Sequence, residues 1–476
     1  MTLRRVRRWL LGITIALLAG AVLLLFPIHR PLELTRAVVP PGADSVLVSA
    51  GARYRANAVQ RFLLGAHYRE LWTLPVRVEV LKLREFAGGL RPLREGGGME
   101  TRSLHFVTPA GGRYVFRSVD KEITRLLNAG LSRSLLASML QDQTSSAHPA
   151  GVLVAARLQA AAGLPAGHPR LVLLPDDPGL GEFRPRFAGL LGILQEGPGE
   201  DPGVPRDSAG DPVTRHTDEL VTLLDAGPGN QADARGYLTA RLLDFFLNDW
   251  DRHGGQWRWV PRVEEWGTGW RPVPVDRDQA FAWYDGVLLS LARLRTSKLS
   301  EFGPEYPHLR GLIRNSGTLD RRLLAGLERG AWDSVAAALE TALSDSVIDA
   351  AVRAMPAPYW EVSGPALAAT LKQRRSGLRR MATEFYLLLA TYPEVHATAA
   401  DRSAQLLRHP DGSVELRLSS WFERRFAPGE TNRIDLYLPG PAAGFAVTGD
   451  PRGGIPLRLL DAVGREVALP DSVKRP

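Results

Sequence analysis

Hydrophobic and polar positions alternate strictly over Val76-Arg77-Val78-Glu79-Val80-Leu81, the period of a half-buried strand. The same period returns in Ser103-Leu104-His105-Phe106-Val107 and in Tyr114-Val115-Phe116-Arg117-Ser118-Val119, joined by the turn Pro109 to Gly112. Gly88-Gly89 and Gly96-Gly97-Gly98 precede them, so the pattern predicts a β-meander with one glycine-rich connection. Residues 31–75 read as mixed, with a strand at Ser45 to Val48 and an amphipathic stretch from Ala58 to Leu71. Residues 122–165 read as helical, and Arg170 to Pro175 as a short buried strand. Residues 195–235, rich in Gly, Pro and Asp, predict a loop or lobe boundary. Ala234 to Leu247 then predicts a strong helix, with Leu238, Leu242, Leu243, Phe246 and Leu247 on one side. Residues 318–395 are mostly helical, and residues 400–476 return to strands around the turn Pro410-Asp411-Gly412. No internal repeat of fixed period is present.

Composition narrows the class. The 476 residues are 45% hydrophobic and 23% charged, which excludes a mostly disordered chain, a collagen-like repeat and a multi-span membrane protein. Of the net charge of +8, four positives are Arg4, Arg5, Arg7 and Arg8; the rest is spread evenly, which argues against a nucleic-acid partner. There is no cysteine, so disulfide frameworks, thiolate zinc sites and cysteine nucleophiles are excluded. Trp9 to Phe26 is an uncharged apolar run directly after the arginines. It reads as an uncleaved transmembrane anchor whose positive end stays in the cytoplasm, a cleaved signal peptide being the alternative. The expected location is single-pass in the inner (cytoplasmic) membrane through residues 9–26, with the body periplasmic or extracytoplasmic.

The chemistry concentrates after the apolar helix. Asn248-Asp249-Trp250-Asp251-Arg252-His253-Gly254-Gly255-Gln256-Trp257 predicts a loop carrying carboxylates and basic residues, followed by a hairpin. About twenty residues on, Pro274-Val275-Asp276-Arg277-Asp278-Gln279-Ala280-Phe281 delivers two more carboxylates. Two apart in an extended segment, Asp276 and Asp278 share a face. Together with Asp251 they suit a hard divalent cation, and Gln256 is a neutral oxygen ligand along the same loop. Five of the eleven tryptophans (250, 257, 259, 266, 270) fall in this interval, and packing under the loop is their expected role.

The pattern Asp-Arg-His-x-x-Gln followed by Asp-x-Asp-x-Ala-Phe resembles the catalytic and metal loops of atypical protein-kinase-like folds. It is most similar to the CotH-type spore-coat kinases, then to secretory-pathway casein and xylosyl kinases, and more distantly to HipA-like and phosphatidylinositol kinases. The resemblance implies Asp251 as the catalytic aspartate, Gln256 in place of a metal-binding Asn, and Asp276 and Asp278 as metal carboxylates. It implies Mg²⁺ or Mn²⁺ and ATP or another nucleotide as cofactors. Arg117 or Lys121 would steady the nucleotide phosphates, and Gly96, Gly97 and Gly98 would form the loop over them. A helix would offer Glu122 or Asp142 to the basic residue, and Leu190 to Glu196 would be a hinge reading the adenine through its backbone. His253 would support the catalytic loop or sit near the transferred group.

The expected fold is α+β. Residues 1–30 form a membrane anchor or signal segment, 31–233 a β-rich N-lobe with a glycine-rich loop, 234–398 a helical C-lobe with the catalytic and metal loops, and 399–476 a small β module. The expected function is phosphate transfer from a nucleotide to a hydroxyl of a protein, glycan or lipid headgroup. A catalytically degenerate kinase-fold scaffold or binding module in the cell envelope is the alternative. A metal-dependent phosphohydrolase ranks below both, for want of histidine pairs.

Overall fold

The computed structural model describes residues 34–468 except 97–99, 124–134, 201–203, 298, 307–308, 420, 440–444 and 449–453, with scattered positions between 9 and 20. Its architecture is α+β. In chain order the strands of the first lobe are β1 (Ser45–Val48), β2 (Val76–Val80), β3 (Arg91–Glu95), β4 (Ser103–Val107), β5 (Arg113–Ser118), β6 (Arg170–Leu173) and β7 (Leu191–Glu196). They form one sheet in the order β1-β2-β6-β7-β5-β4-β3. The run β3-β4-β5-β7-β6 is antiparallel throughout; β2 joins β6 in parallel. The strict alternation of β2 is realised as Val76, Val78 and Val80 buried with Arg77 and Glu79 exposed. Helices α1 (Ala58–Leu64), α2 (Arg69–Thr73), α3 (Leu135–Asp142), α4 (Gly151–Ala161) and α5 (Arg184–Phe187) complete this lobe.

The second lobe is built around α7 (Ala234–Leu247), which follows α6 (Thr217–Ala226) and the short strand β8 (Asn230–Ala232). Asp233 caps its first turn through the Gly236 N–H. Ten of its fourteen residues are buried, so it is a core helix with no solvent face of any width. It ends at Asn248, in the left-handed conformation (φ 56°) that closes helices. The fully buried Arg374 satisfies its last carbonyls, donating to Phe245 O at 2.6 Å and Phe246 O at 2.8 Å. Strands β9 (Trp257–Glu264) and β10 (Gly267–Pro274) form the expected hairpin, with β8 parallel to β10. The helices α8 (Val287–Arg293), α9 (Leu309–Leu312), α10 (Gly317–Leu324), α11 (Arg329–Ala342), α12 (Asp345–Val352), α13 (Ala357–Ser376) and α14 (Leu378–Ala390) pack behind it. Trp257, Trp259 and Trp270 are buried, the first two against Tyr237, so most of the tryptophan cluster is core.

The last unit is all β. Strands β11 (Glu394–His396), β15 (Ile434–Tyr437) and β17 (Leu457–Leu460) make a parallel sheet. Strands β12 (Ser403–Arg408), β13 (Val414–Leu418), β14 (Phe422–Phe426) and β16 (Ala446–Thr448) make a second. They enclose a separate hydrophobic core, docked on the helices through Arg329–Glu430 at 3.0 Å and Tyr386–Glu430 at 2.6 Å.

One expectation is corrected. Among the described residues no helix is long and apolar enough to cross a membrane. A span needs about 20 consecutive apolar residues. The 20-residue helix here, α13, carries Glu361, Lys372, Arg374 and Arg375. The fold class is therefore α+β without the transmembrane helix. Most of residues 9–26 lie outside the described residues.

Candidate functional site

Two basic residues of the first lobe meet two carboxylates of the second. Arg117 lies near the end of β5, and Lys121 follows three residues beyond that strand. Arg117 Nη1 stands 2.7 Å from Asp276 Oδ2, and Lys121 Nζ stands 2.6 Å from Asp278 Oδ2. These four side chains, with Ile193 and Gln195 of β7, line a cavity between the lobes.

The carboxylates get there by a route different from the expected one. Asp276 and Asp278 lie beyond the end of β10, not within an extended strand. They face the same cavity because the chain turns sharply, with Asp276 itself at φ 63°. A non-glycine residue in that region costs about 1–3 kcal/mol and persists where surrounding contacts impose it. Here Val275 donates to Gln256 O at 3.0 Å, and Arg252 donates to Gln256 O at 3.1 Å and Val275 O at 2.5 Å. The loop after the apolar helix is thus bound to the loop that carries Asp276.

Below the cleft lies an ionic network that sequence reasoning missed. Arg241, Asp244, Asp249, Arg252, Arg277 and Asp320 are all buried. Arg252 pairs with Asp249 at 2.7 Å, Arg241 with Asp320 at 2.8 Å and with Asp244 at 2.5 Å, and Arg277 with Asp244. Three cations face three anions, so the group is neutral as a whole. The available signal was Arg241 and Asp244, two charges three apart in the buried stretch of the helix.

The electrostatics separate the two cleft carboxylates. Burial works against ionising Asp276, but Arg117, Lys121 and Arg252 outweigh it and hold its pKa below the ordinary value. Burial and the neighbouring Asp276 push Asp278 up to about 6, against the pull of Lys121. Two carboxyls in one pocket therefore differ in their readiness to ionise, as like charges at close range require.

The other expected site residues are placed as follows. Asp251 is half-buried and accepts from Asn315 Nδ2 at 3.0 Å. His253 is exposed, and its Nδ1 accepts from the Gly255 N–H at 3.1 Å, which caps the turn. Gln256 is buried, and among the described residues its Oε1 has no hydrogen-bond partner. Gly96 closes the β3–β4 hairpin through its N–H to Ser103 O at 2.8 Å, and a Cβ there would collide with the Ser103 side chain. Gly97 and Gly98 lie outside the described residues.

Three expectations about partners change. Asp251, Asp276 and Asp278 do not assemble as a three-ligand metal group; among the described residues there is none. The two candidate helix carboxylates pair elsewhere, Asp142 with Arg69 at 2.5 Å and Glu122 with Arg102 at 2.9 Å. Residues 191–196 form β7, bonded to β5 on one side and β6 on the other. Leu191 to Leu194 are therefore inside the sheet, whereas Gln195 and Glu196 pair with β5 alone.

No protein-family model and no curated protein matches the chain. A solved structure of the Helicobacter pylori proinflammatory kinase CtkA is similar at 9% identity and a TM-score of 0.33, covering 62% of this chain and 96% of that one.

Proposed function

We propose that the cleft binds a nucleotide with a divalent cation and transfers phosphate to a hydroxyl, in the manner of a kinase. The observation that carries this reading is the meeting of Arg117 and Lys121, from the sheet, with Asp276 and Asp278, from the helical lobe. A guanidinium and an ammonium are phosphate binders, and paired carboxylates are ligands for hard cations. Both sets are present in equal number and are matched to each other. Binding would exchange partners, with the cations turning to phosphate and the carboxylates to metal.

The residues fit a divalent cation. The orphaned Gln256 Oε1 and the buried, unpartnered Asp249 Oδ1 are oxygen donors beside the loop that bears Asp276. Asp276, Asp278 and Gln256 would hold the ion, which when bound neutralises charge on the phosphates. Asp251, held by Asn315 at the loop above, would orient the acceptor hydroxyl and take its proton. Gly96, fixed by the hairpin, would let backbone approach the phosphates closely.

A second reading has its own support. One-to-one neutralisation of both carboxylates leaves no preassembled metal group among the described residues, which suits a binding module without turnover. Label transfer from γ-labelled ATP with Mn²⁺ separates the two. Metal-dependent transfer or release, lost in Asp251→Asn while nucleotide binding persists, supports the transferase. Nucleotide binding without any release supports the binding module.

A further inference from the structure

Lys121 stands three residues beyond β5, outside the ladders of the sheet, and its ammonium still meets Asp278 at 2.6 Å. A lysine stem is a flexible four-carbon chain, so the place of its charge depends on how the backbone beneath it is fixed. The fixing group is a side chain of α3. Gln141 is buried; its Nε2 donates to Lys121 O at 2.8 Å, and its Oε1 accepts from the Ile123 N–H at 3.1 Å. One amide thus takes the two backbone groups that a neighbouring strand would otherwise pair. Nε2 also donates to Tyr54 Oη at 2.9 Å. Tyr54 in turn donates to Asp120 Oδ1, which accepts from the Lys121 N–H at 2.9 Å. Arg53 adds a second donor to Lys121 O at 3.1 Å. Both backbone groups of Lys121 therefore belong to one buried network that centres on Gln141.

The residues after Gln141 reach the other side of the cleft. Asp142 receives both arms of Arg69, at 2.9 and 2.5 Å. The turn Gln143–Ser146 follows, and Ser146 O accepts at 2.9 Å from the N–H of Trp283, five residues past Asp278. Tyr68, next to Arg69, donates its hydroxyl to Phe281 O at 2.8 Å. Residues 141–146 thus hold backbone under Lys121 and backbone behind Asp278. The helix expected to offer a carboxylate to the basic residue offers an amide instead, and offers it to the main chain.

We propose that Gln141 is a positioning residue for Lys121, and that residues 141–146 set the spacing between the ammonium that meets phosphate and the carboxylate that meets the metal. The inference rests on the transferase reading and adds to it the group that keeps Lys121 aimed into the cleft. Gln141 is not among the residues that line the cavity, so it acts through Lys121 rather than on a ligand.

The test uses the full chain and a double-mutant cycle. Affinity for ATP with Mn²⁺ is titrated in the parent, Gln141→Met, Lys121→Met and the double variant. Contacts that act as a unit are not additive, whereas a merely structural loss adds in either background. The proposal expects about tenfold weaker binding on Gln141→Met in the parent, and less than about twofold in the Lys121→Met background. A second readout needs no nucleotide. The chain has five lysines, Lys82, Lys121, Lys298, Lys372 and Lys474, so carbon-13 labelling of lysine gives few side-chain resonances, and Lys121→Met assigns one of them. Gln141→Met should move or broaden the Lys121 resonance and leave that of Lys82 in place. Gln141→Asn, the same amide one methylene shorter, repeats both measurements should Gln141→Met fold poorly. Equal loss of affinity in both backgrounds, or a Lys121 resonance unchanged by either variant, would overturn the proposal. A displaced Lys121 resonance in a chain that binds no nucleotide would uphold the positioning role and remove the transferase reading.

Discussion

Arg117 reaches across the cleft to Asp276, its Nη1 2.7 Å from Oδ2, and so joins the sheet lobe to the loop after the β9–β10 hairpin. Lys121 and Asp278 repeat the contact at 2.6 Å. The two pairs link the lobes, and they are made of the charges that a metal nucleotide would need. Their side chains are 31% and 28% exposed for the first pair, which leaves solvent to screen it.

Replacing Arg117 by Met is expected to cost little stability and much affinity. A partly exposed pair contributes about 0–1 kcal/mol. Loss of a fork to phosphate costs about 1.5–3 kcal/mol, a ten- to hundredfold weaker nucleotide. Urea unfolding and nucleotide titration of the same preparation check both halves.

The network beneath the cleft should behave in the opposite way. Asp244 is fully buried and faces Arg241, Arg252 and Arg277. Asp244→Asn leaves an excess buried positive charge, and removing one partner of a buried pair costs about 3–5 kcal/mol. Chemical denaturation should show a loss of that size, larger than for Asp276→Asn.

Acid should weaken the fold through buried histidine. Burial holds His148 neutral with a pKa of about 3, below its ordinary value. The unfolded chain then binds the proton first, so the contribution is complete above about 6.5 and is lost as pH falls toward 3. His148→Asn keeps an acceptor for the Ala150 N–H, now given to Nδ1 at 3.1 Å. Its stability should fall less steeply between pH 6.5 and 4, by up to about 1.4 kcal/mol per pH unit. Urea midpoints at pH 7, 6 and 5 measure this.

Nucleotide binding should carry a pH dependence of its own. Asp278 is raised to about 6 by burial and by Asp276, so it is increasingly protonated below that pH. A metal ligand must be deprotonated. Metal-dependent nucleotide affinity should therefore fall by up to about tenfold per unit below pH 6 and level off above 7. Titrations at pH 5, 6, 7 and 8 with Mn²⁺ would show it.

Local patterns were legible where one period decided the outcome. The alternation at residues 76–80 and 103–118, the apolar helix 234–247 and the hairpin turn at 410–412 all appear where the hydrophobic positions put them. Asp276 and Asp278 were legible as a pair, though by the wrong geometry, since a left-handed Asp276 has no signature in side-chain period. Their neutralisation by Arg117 and Lys121 was not legible, because it depends on how two lobes meet across more than 150 residues of chain. The pairing of Arg69 with Asp142 was not legible either, since it joins two helices of the first lobe 73 residues apart. The strand over 191–196 was not distinguished from a hinge, because a central strand and a ligand-reading hinge have the same apolar text.

The most direct test of the account is the thermal shift of the full chain with ATP, with Mn²⁺, and with both, beside Asp276→Asn. A ligand of the native state at a hundred times its Kd adds about 2.7 kcal/mol. The account predicts a shift of several degrees with ATP and Mn²⁺ together, little with either alone, and none in Asp276→Asn. No shift with any combination, or an equal shift in the variant, would contradict a metal-nucleotide site in this cleft.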